Sequence, residues 1–293
     1  MAAEHGLDAR AIEAALAGAR VLPRVLEAMQ RPAEAKPWRD YRPIFLTEQR
    51  IAGGVEFWQT HAPLLERSRA QFGVPERIVV AIIGVETYYG SRAGSIRVLD
   101  ALATLGFRYT RRASFFRREL GHFLALGAAE KLDIGAIEGS YAGAMGIPQF
   151  IPSSYRAYAV DFDGDGQRDL VGSVADAIGS VAAYLSRHGW VRDGAVAVPA
   201  TVSGDAAGAL AAKGLEPQTS IAAFARAGVE PTLRVAGDVD AALVELEGAQ
   251  GLEYWLGFRN FYVVTRYNRS PLYAMAVHQL ADAIEARRRG AGR

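Results

Sequence analysis

The sequence predicts a mainly α protein of α+β type, with a small β-containing lobe inserted into a helical body. Three observations carry that expectation. Apolar stripes at helical spacing recur along most of the chain. One run, Ile78 to Val85, holds no charge and no hydroxyl, and so reads as a helix buried in a core. Between residues 190 and 250 the composition changes to short strand-like runs, Ala195 to Val202 and Ala241 to Glu247, cut by Gly, Asp and Pro.

The 293 residues, half of them hydrophobic, suffice for a full core spread over two or three lobes. Thirty-three basic against 32 acidic side chains leave a net charge of +1, which points neither to nucleic acid nor to a membrane surface. No stretch is long and apolar enough for a transmembrane helix. The first residues, MAAEHGLDAR, have neither a charged n-region nor an apolar h-region, so an export signal or lipid anchor is absent from these residues. With no cysteine, disulfides, thiolate catalysis and cysteine-bound zinc are excluded.

Taken in order, residues 1 to 30 are helical by the spacing of Ile12, Leu16, Val21, Leu22, Val25, Leu26 and Met29. Pro32 and Pro37 break the pattern, and Trp38 to Phe45 reads as an extended or irregular link. Thr47 can cap the next helical stretch, which runs to Phe72 with Ile51, Val55, Trp58, Leu64 and Leu65 on one stripe. Pro75 opens the buried helix, Glu76 suits the positive end of its dipole, and Gly90 is a natural stop.

Glu86 falls where that helix runs out. Desolvation and the negative end of the dipole both disfavour its charged form, so a carboxylic acid there can hold its proton near neutral pH, as a general acid must. A glutamate that merely ends a core helix and points to water fits the same spacing. The pattern alone leaves both open.

Val98 to Leu105 and Ser114 to Leu126 are two further amphipathic helices, with Arg108, Arg111, Arg112, Arg117 and Arg118 between and within them. That basic cluster reads either as a solvated face with arginine stems over apolar surface or as a groove for an anionic polymer. GSYAGAMGIPQFIPSSY (139–155) is a poor helix or strand, and is either a turn-rich connector or a surface that lets a ligand approach backbone. A helical turn then starts at Ser154.

Asp161, Asp163, Asp165 and Asp169 occupy positions 1, 3, 5 and 9 of a loop with Gly166 at position 6, the pattern of an EF-hand calcium loop. Four carboxylates in nine residues repel one another unless a cation neutralises them. Gly172 stands where the closing glutamate belongs, so closure needs a longer loop in which Asp176 reaches back. Oxygen-only ligands favour calcium, expected here as a structural ion. A solvated Asp/Gly turn is the alternative.

Asp176 to Gly189 is a helix. Ala206 to Lys213 and Ser220 to Ala227 are short helical pieces inside the inserted lobe. Tyr254 to Tyr267, aromatic and β-branched, reads as one or two strands. Pro271 opens a last helix, Leu272 to Arg288, whose basic tail is expected to fray.

The five histidines are scattered without metal spacing, and no GxSxG elbow or GxxxxGK[ST] loop occurs. What remains is an apolar-framed acid, a loop rich in small residues with one Gln, and many tyrosines. That combination suits a polysaccharide.

Four segments in order, IIGVETYYG, GSYAGAMGIPQFIPSSYRAYAVDFDGDG, DAIGSVAAYLSRHGW and NFYVVTRYNRSPLYAMAV, resemble the lytic murein transglycosylase B family (glycoside hydrolase family 103). The likeness spans about residues 40 to 285 and is poorest over 191 to 250. It implies a bacterial, periplasmic, peptidoglycan-cleaving enzyme that works as a monomer on glycan strands, without nucleic acid or an organic cofactor. It also implies a lysozyme-like core over 78–96, 139–190 and 251–293, a helical lobe over 1–77 and 97–138, and the small lobe over 191–250.

By position, Glu86 matches the family's catalytic acid/base, and Ser140, Gln149, Tyr184, Tyr267, Asn268 and Tyr273 match groove residues. Asp161, Asp163, Asp165, Gln167 (through its carbonyl) and Asp176 match calcium ligands. Ile147-Pro148 before Gln149 departs from the family pattern at one wall of the groove, and Asp163 replaces a common Ser.

A single carboxylate also sets the chemistry, since ordinary glycosidases use two. The resemblance implies cleavage between N-acetylmuramic acid and N-acetylglucosamine with a 1,6-anhydro product. A lysozyme-type muramidase that uses water, and a catalytically silent calcium-bound peptidoglycan-binding protein, are the alternatives.

Overall fold

The computed structural model describes residues 5–30 and 36–291, and they form two compact units. The first is drawn from Met1–Pro32 and Ile82–Tyr184, the second from Ala33–Ala81 and Leu185–Arg293.

In the first unit, α1 (Ala9–Ala17) is capped by the Asp8 carboxylate, and α2 (Pro23–Ala28) follows. Helix α6 (Glu76–Thr87) enters this unit at Ile82, in the middle of the apolar run, where residues 78 to 83 have no exposed surface. Next come β1 (Ile96–Arg97), α7 (Val98–Arg108), a 3-10 turn (Thr110–Arg112) and α8 (Ala113–Glu130). The Arg20 N–H and the Arg97 guanidinium both bond Asp100, which is buried in the first turn of α7. Strand β2 (Glu138–Gly139) pairs antiparallel with β1. Two further helices, α9 (Pro152–Tyr158) and α10 (Val174–Arg187), flank the acidic loop.

The second unit contains α3 (Trp38–Phe45), α4 (Glu48–Thr60) and α5 (Ala62–Phe72). Trp38 to Phe45 is therefore a helix and not the link its prolines suggested. Pro37 occupies the N-cap, where a missing N–H costs nothing, and burial of Trp38 and Tyr41 offsets the bond lost at Pro43. The Thr47 hydroxyl caps α4 at Arg50 N–H as expected, and the stretch to Phe72 divides at His61.

A five-stranded antiparallel sheet has the order β4-β6-β7-β3-β5, with β3 Ala197–Val202, β4 Thr219–Ser220, β5 Val229–Pro231, β6 Asp240–Gly248 and β7 Gly251–Gly257. Short helices α11 (Ala207–Ala211) and α12 (Ile221–Arg226) close a small core of Val198, Ile221, Phe224, Val229, Leu243, Leu256 and Phe258. The small α+β lobe read from composition is thus present.

Arg259–Tyr267 is helix α13, which corrects the strand reading of its second half. Its aromatic and β-branched residues satisfy a strand pattern, yet Asn260 sits fully buried at its start. There the Asn260 side chain accepts from Val191 N–H at 2.8 Å and donates to the Val191 and Gly194 carbonyls, both at 2.8 Å. Helix α14 (Pro271–Ala291) continues through the expected frayed tail. Arg289 pairs with Glu285, Arg287 with Glu48, and Arg288 lies over the Trp58 ring. Among the described residues no helix is long and apolar enough to cross a membrane.

Candidate active site

Glu86 is half-buried on the last turn of α6, beside Thr87, which is fully enclosed. The chain leaves the helix through three consecutive left-handed residues, Tyr88 (φ 52°), Tyr89 (φ 60°) and Gly90 (φ 89°). For two tyrosines that conformation is costly and needs compensation. Thr87 supplies part of it. Its hydroxyl donates to the Ile147 carbonyl at 2.8 Å and accepts from Gly90 N–H at 3.0 Å, while its carbonyl accepts from Arg92 N–H at 2.8 Å. Gly84 supplies the space: a Cβ there would lie 2.6 Å from the Tyr89 hydroxyl, so the returning ring packs against bare backbone.

The Gly/Ser/Gln loop is knitted to the segment after α6. Ile96 faces Gly139 across the β1–β2 ladder, and Gly94 (φ 100°) comes so near the Gly139 carbonyl that a side chain would collide with it. Bridges join Gly139 to Met145 and Met145 to Phe150. The Ser140 hydroxyl oxygen accepts from Ala142 and Ala144 N–H at 3.3 and 3.1 Å, which leaves its own proton to donate. The Gln149 amide nitrogen donates to the Ala93 and Gly146 carbonyls, both at 2.9 Å, so the amide oxygen is the group left for a ligand. Gln149 is itself left-handed, at φ 52°. Tyr184 completes this part, its ring 5.5 Å from Phe150 and edge-on to Tyr158 at 4.8 Å.

Sequence reasoning singled out Glu86, Ser140, Gln149 and Tyr184, and all four lie in the first unit. It missed Thr87 and Gly84. A hydroxyl directly after the acid and a glycine inside an otherwise bulky apolar helix were the available signals. Tyr267, Asn268 and Tyr273 lie in the second unit, where the two rings stack at 6.3 Å and 12° across the turn that Asn268 begins.

The other buried carboxylates of the first unit are committed elsewhere. Burial works against the charge of Asp100, but its bonds from Arg97 and Arg20 hold it below the ordinary range. Glu119 accepts from Ser153 N–H at 2.9 Å. Glu138 is exposed on β2.

In the acidic loop, carboxylate oxygens of Asp161, Asp163 and Asp176 lie within 4.8 Å of one another. Asp176 reaches back as expected, from the first turn of α10, and accepts N–H bonds from Phe162 and Asp169 at 2.6 and 2.7 Å. Burial, with help from Asp163, pushes its carboxyl above the usual range, a cost that a cation would remove. Asp165 lies beside them, its N–H donating to the Asp161 and Asp163 carboxylates at 3.2 and 3.3 Å and its own carboxylate accepting from Gln167 N–H at 2.8 Å, and Asp169 caps Val171 and Gly172. An all-oxygen set on a loop of this shape fits calcium.

The family model "Transglycosylase SLT domain" matches residues 1–282. The chain is 44% identical to the membrane-bound lytic murein transglycosylase B of Escherichia coli K12, over 97% of this chain and 80% of that protein. The crystal structure of the catenated lytic transglycosylase SltB1 from Pseudomonas aeruginosa superposes with a TM-score of 0.92 at 45% identity, covering 98% of this chain and 95% of that one. The Escherichia coli lytic transglycosylase Slt35 in complex with calcium gives 0.87 at 43% identity, over 98% and 91%.

Proposed function

The chain belongs to the transglycosylase SLT domain family, and from that premise we propose that it is a lytic murein transglycosylase with Glu86 as its single acid/base. The observation that carries the reading is the stitching of the Glu86 turn to the Ser140–Gln149 loop through Thr87 and Gly94, with the other buried carboxylates of that unit spoken for.

Glu86 protonates the β-1,4 oxygen between N-acetylmuramic acid and N-acetylglucosamine, and the bond to the muramyl C1 breaks. The 2-acetamido group stabilises the oxocarbenium-like centre, steadied by the Ser140 hydroxyl and the Gln149 carbonyl oxygen. Glu86, now ionised, takes the proton of the muramyl 6-hydroxyl, whose oxygen closes on C1 and forms the 1,6-anhydro ring. The acid is thereby restored and water is not consumed. Tyr184, Tyr267, Asn268 and Tyr273 hold the glycan, the rings offering faces to the sugars.

Asp161, Asp163 and Asp176 hold a calcium ion together with Asp165 and the Gln167 carbonyl, and the ion steadies the loop without entering the reaction. Such a substrate places the protein in the periplasm or at the wall it faces.

Digestion of purified sacculi followed by mass spectrometry tests the proposal. Transglycosylation yields anhydromuropeptides lighter by one water than hydrolysis products. Products of hydrolytic mass would mean a lysozyme-type muramidase, and no products at all would mean a binding protein.

A further inference from the structure

Tyr155 is fully buried on α9, and the cleavage step described above makes no use of it. Its hydroxyl donates to the Arg168 carbonyl and accepts from Leu170 N–H at 2.9 Å. Burial pushes the phenol well above its ordinary pKa, so the proton stays on the oxygen and the donor persists. Ring packing alone would be served as well by phenylalanine.

The Leu170 peptide that this hydroxyl grips is a junction. On one side, Asp169 N–H is held by the Asp176 carboxylate at 2.7 Å. On the other, the Leu170 carbonyl accepts from Ile147 N–H at 2.8 Å, and the Ile147 carbonyl accepts from the Thr87 hydroxyl at 2.8 Å. Thr87 directly follows Glu86. Leu170, Ile147 and Thr87 are all buried, so each of these bonds is costly to lose. Gly146 permits the close approach: a Cβ there would lie 2.3 Å from the Leu170 carbonyl oxygen. Every member of this chain of bonds falls in the first unit.

We propose that Tyr155 is a positioning residue for Glu86: it fixes the Leu170 peptide, which through Ile147 and Thr87 sets where the last turn of α6 presents the acid. This role rests on the reading of Glu86 as the acid/base. An acid that serves twice, at the glycosidic oxygen and then at the 6-hydroxyl, tolerates little error in aim. The three left-handed residues after it hold their conformation only through what surrounds them. Ile147 itself lies on a loop rich in small residues, so its carbonyl is a fixed point only if something buried holds it. Tyr155 and Leu170 supply that hold.

Tyr155→Phe keeps the ring and removes the hydroxyl, and hydrogen exchange read by NMR reports on the far end of the path. The Gly90 and Arg92 amides, which bond the Thr87 hydroxyl and carbonyl, should lose protection by at least about tenfold. On soluble murein strands kcat should fall by about tenfold or more with KM within about twofold, the sign of lost aim with sugar contacts intact. Val25→Ala, a core change on α2 outside this chain of bonds, should lower the melting temperature and leave both readouts unmoved. Tyr155→Phe combined with Thr87→Val should lose less kcat than the product of the two single losses, because both cut one path. In the parent chain, the Leu170, Ile147 and Gly90 amides should open together with one urea dependence, a measurement that needs no variant to fold. Separate opening, unchanged exchange at Gly90 and Arg92 in Tyr155→Phe, altered exchange with kcat unmoved, or multiplicative kcat losses would overturn the proposal. Exchange follows this path whatever Glu86 does, so unchanged exchange counts against Tyr155, whereas an active Glu86→Gln counts against the reading of Glu86.

Discussion

The Thr87 hydroxyl donates to the Ile147 carbonyl at 2.8 Å, across sixty positions of sequence, and accepts from Gly90 N–H. This bond fixes the residue after Glu86 to the loop that ends in Gln149. Thr87→Val keeps the shape but strands a buried carbonyl and a part-buried N–H, at about 1–3 kcal/mol. Urea unfolding should show that loss, with cleavage reduced beyond it, and Thr87→Ser should recover most of both.

Glu86→Gln should lower murein clearing by about 10²-fold or more, the usual contribution of a positioned acid/base. Its melting temperature should not fall. Turbidity loss on sacculi at more than a few per cent of the parent rate would remove Glu86 from the role given it.

Gly84→Ala places a methyl 2.6 Å from the Tyr89 hydroxyl and forces that ring off the helix. Overpacking of this kind costs about 1–3 kcal/mol. Because Tyr89 belongs to the strained turn after Glu86, cleavage should fall more than chemical denaturation alone explains.

Calcium bound only by the folded chain stabilises it by about 2.7 kcal/mol at a hundred times its dissociation constant. Chelation should lower the melting temperature, and Asp161→Ala should abolish the response to added calcium. An unchanged melt with removal of the ion verified by elemental analysis would count against the loop as its site.

His278 is buried against the Trp255 ring, 3.7 Å from the Asp282 carboxylate, and its Nδ1 has no hydrogen-bond partner among the described residues. Burial lowers its pKa and Arg77 adds to the effect, while Asp282 opposes it. The folded state therefore prefers neutral imidazole. Its contribution is fully present above the unfolded value of about 6.5 and is lost as the pH falls from there through the lower folded value. Thermal melts from about pH 7.5 down to about pH 5 should show declining stability, and His278→Leu should flatten part of that decline.

Much of this molecule was legible beforehand. A run with no polar break, Ile78 to Val85, can only be buried, and the spacing of Asp161, Asp163 and Gly166 fixes a loop whatever surrounds it. Trp38–Phe45 and Arg259–Tyr267 were misread because local signals there are outvoted: two prolines by the burial of Trp38 and Tyr41, and a strand-like composition by the bonds of Asn260. Thr87 was invisible for another reason. Its partner is a backbone carbonyl, and a carbonyl leaves no mark in a sequence.

Asp176 grips the acidic loop from the first turn of α10, and Tyr184 stands eight residues further along the same helix, about 12 Å at 1.5 Å per residue. The two ride on one rod. An ion bound in the loop would act on the ring through that helix. Emptying the loop should therefore loosen the grip on the sugar chain at temperatures well short of melting.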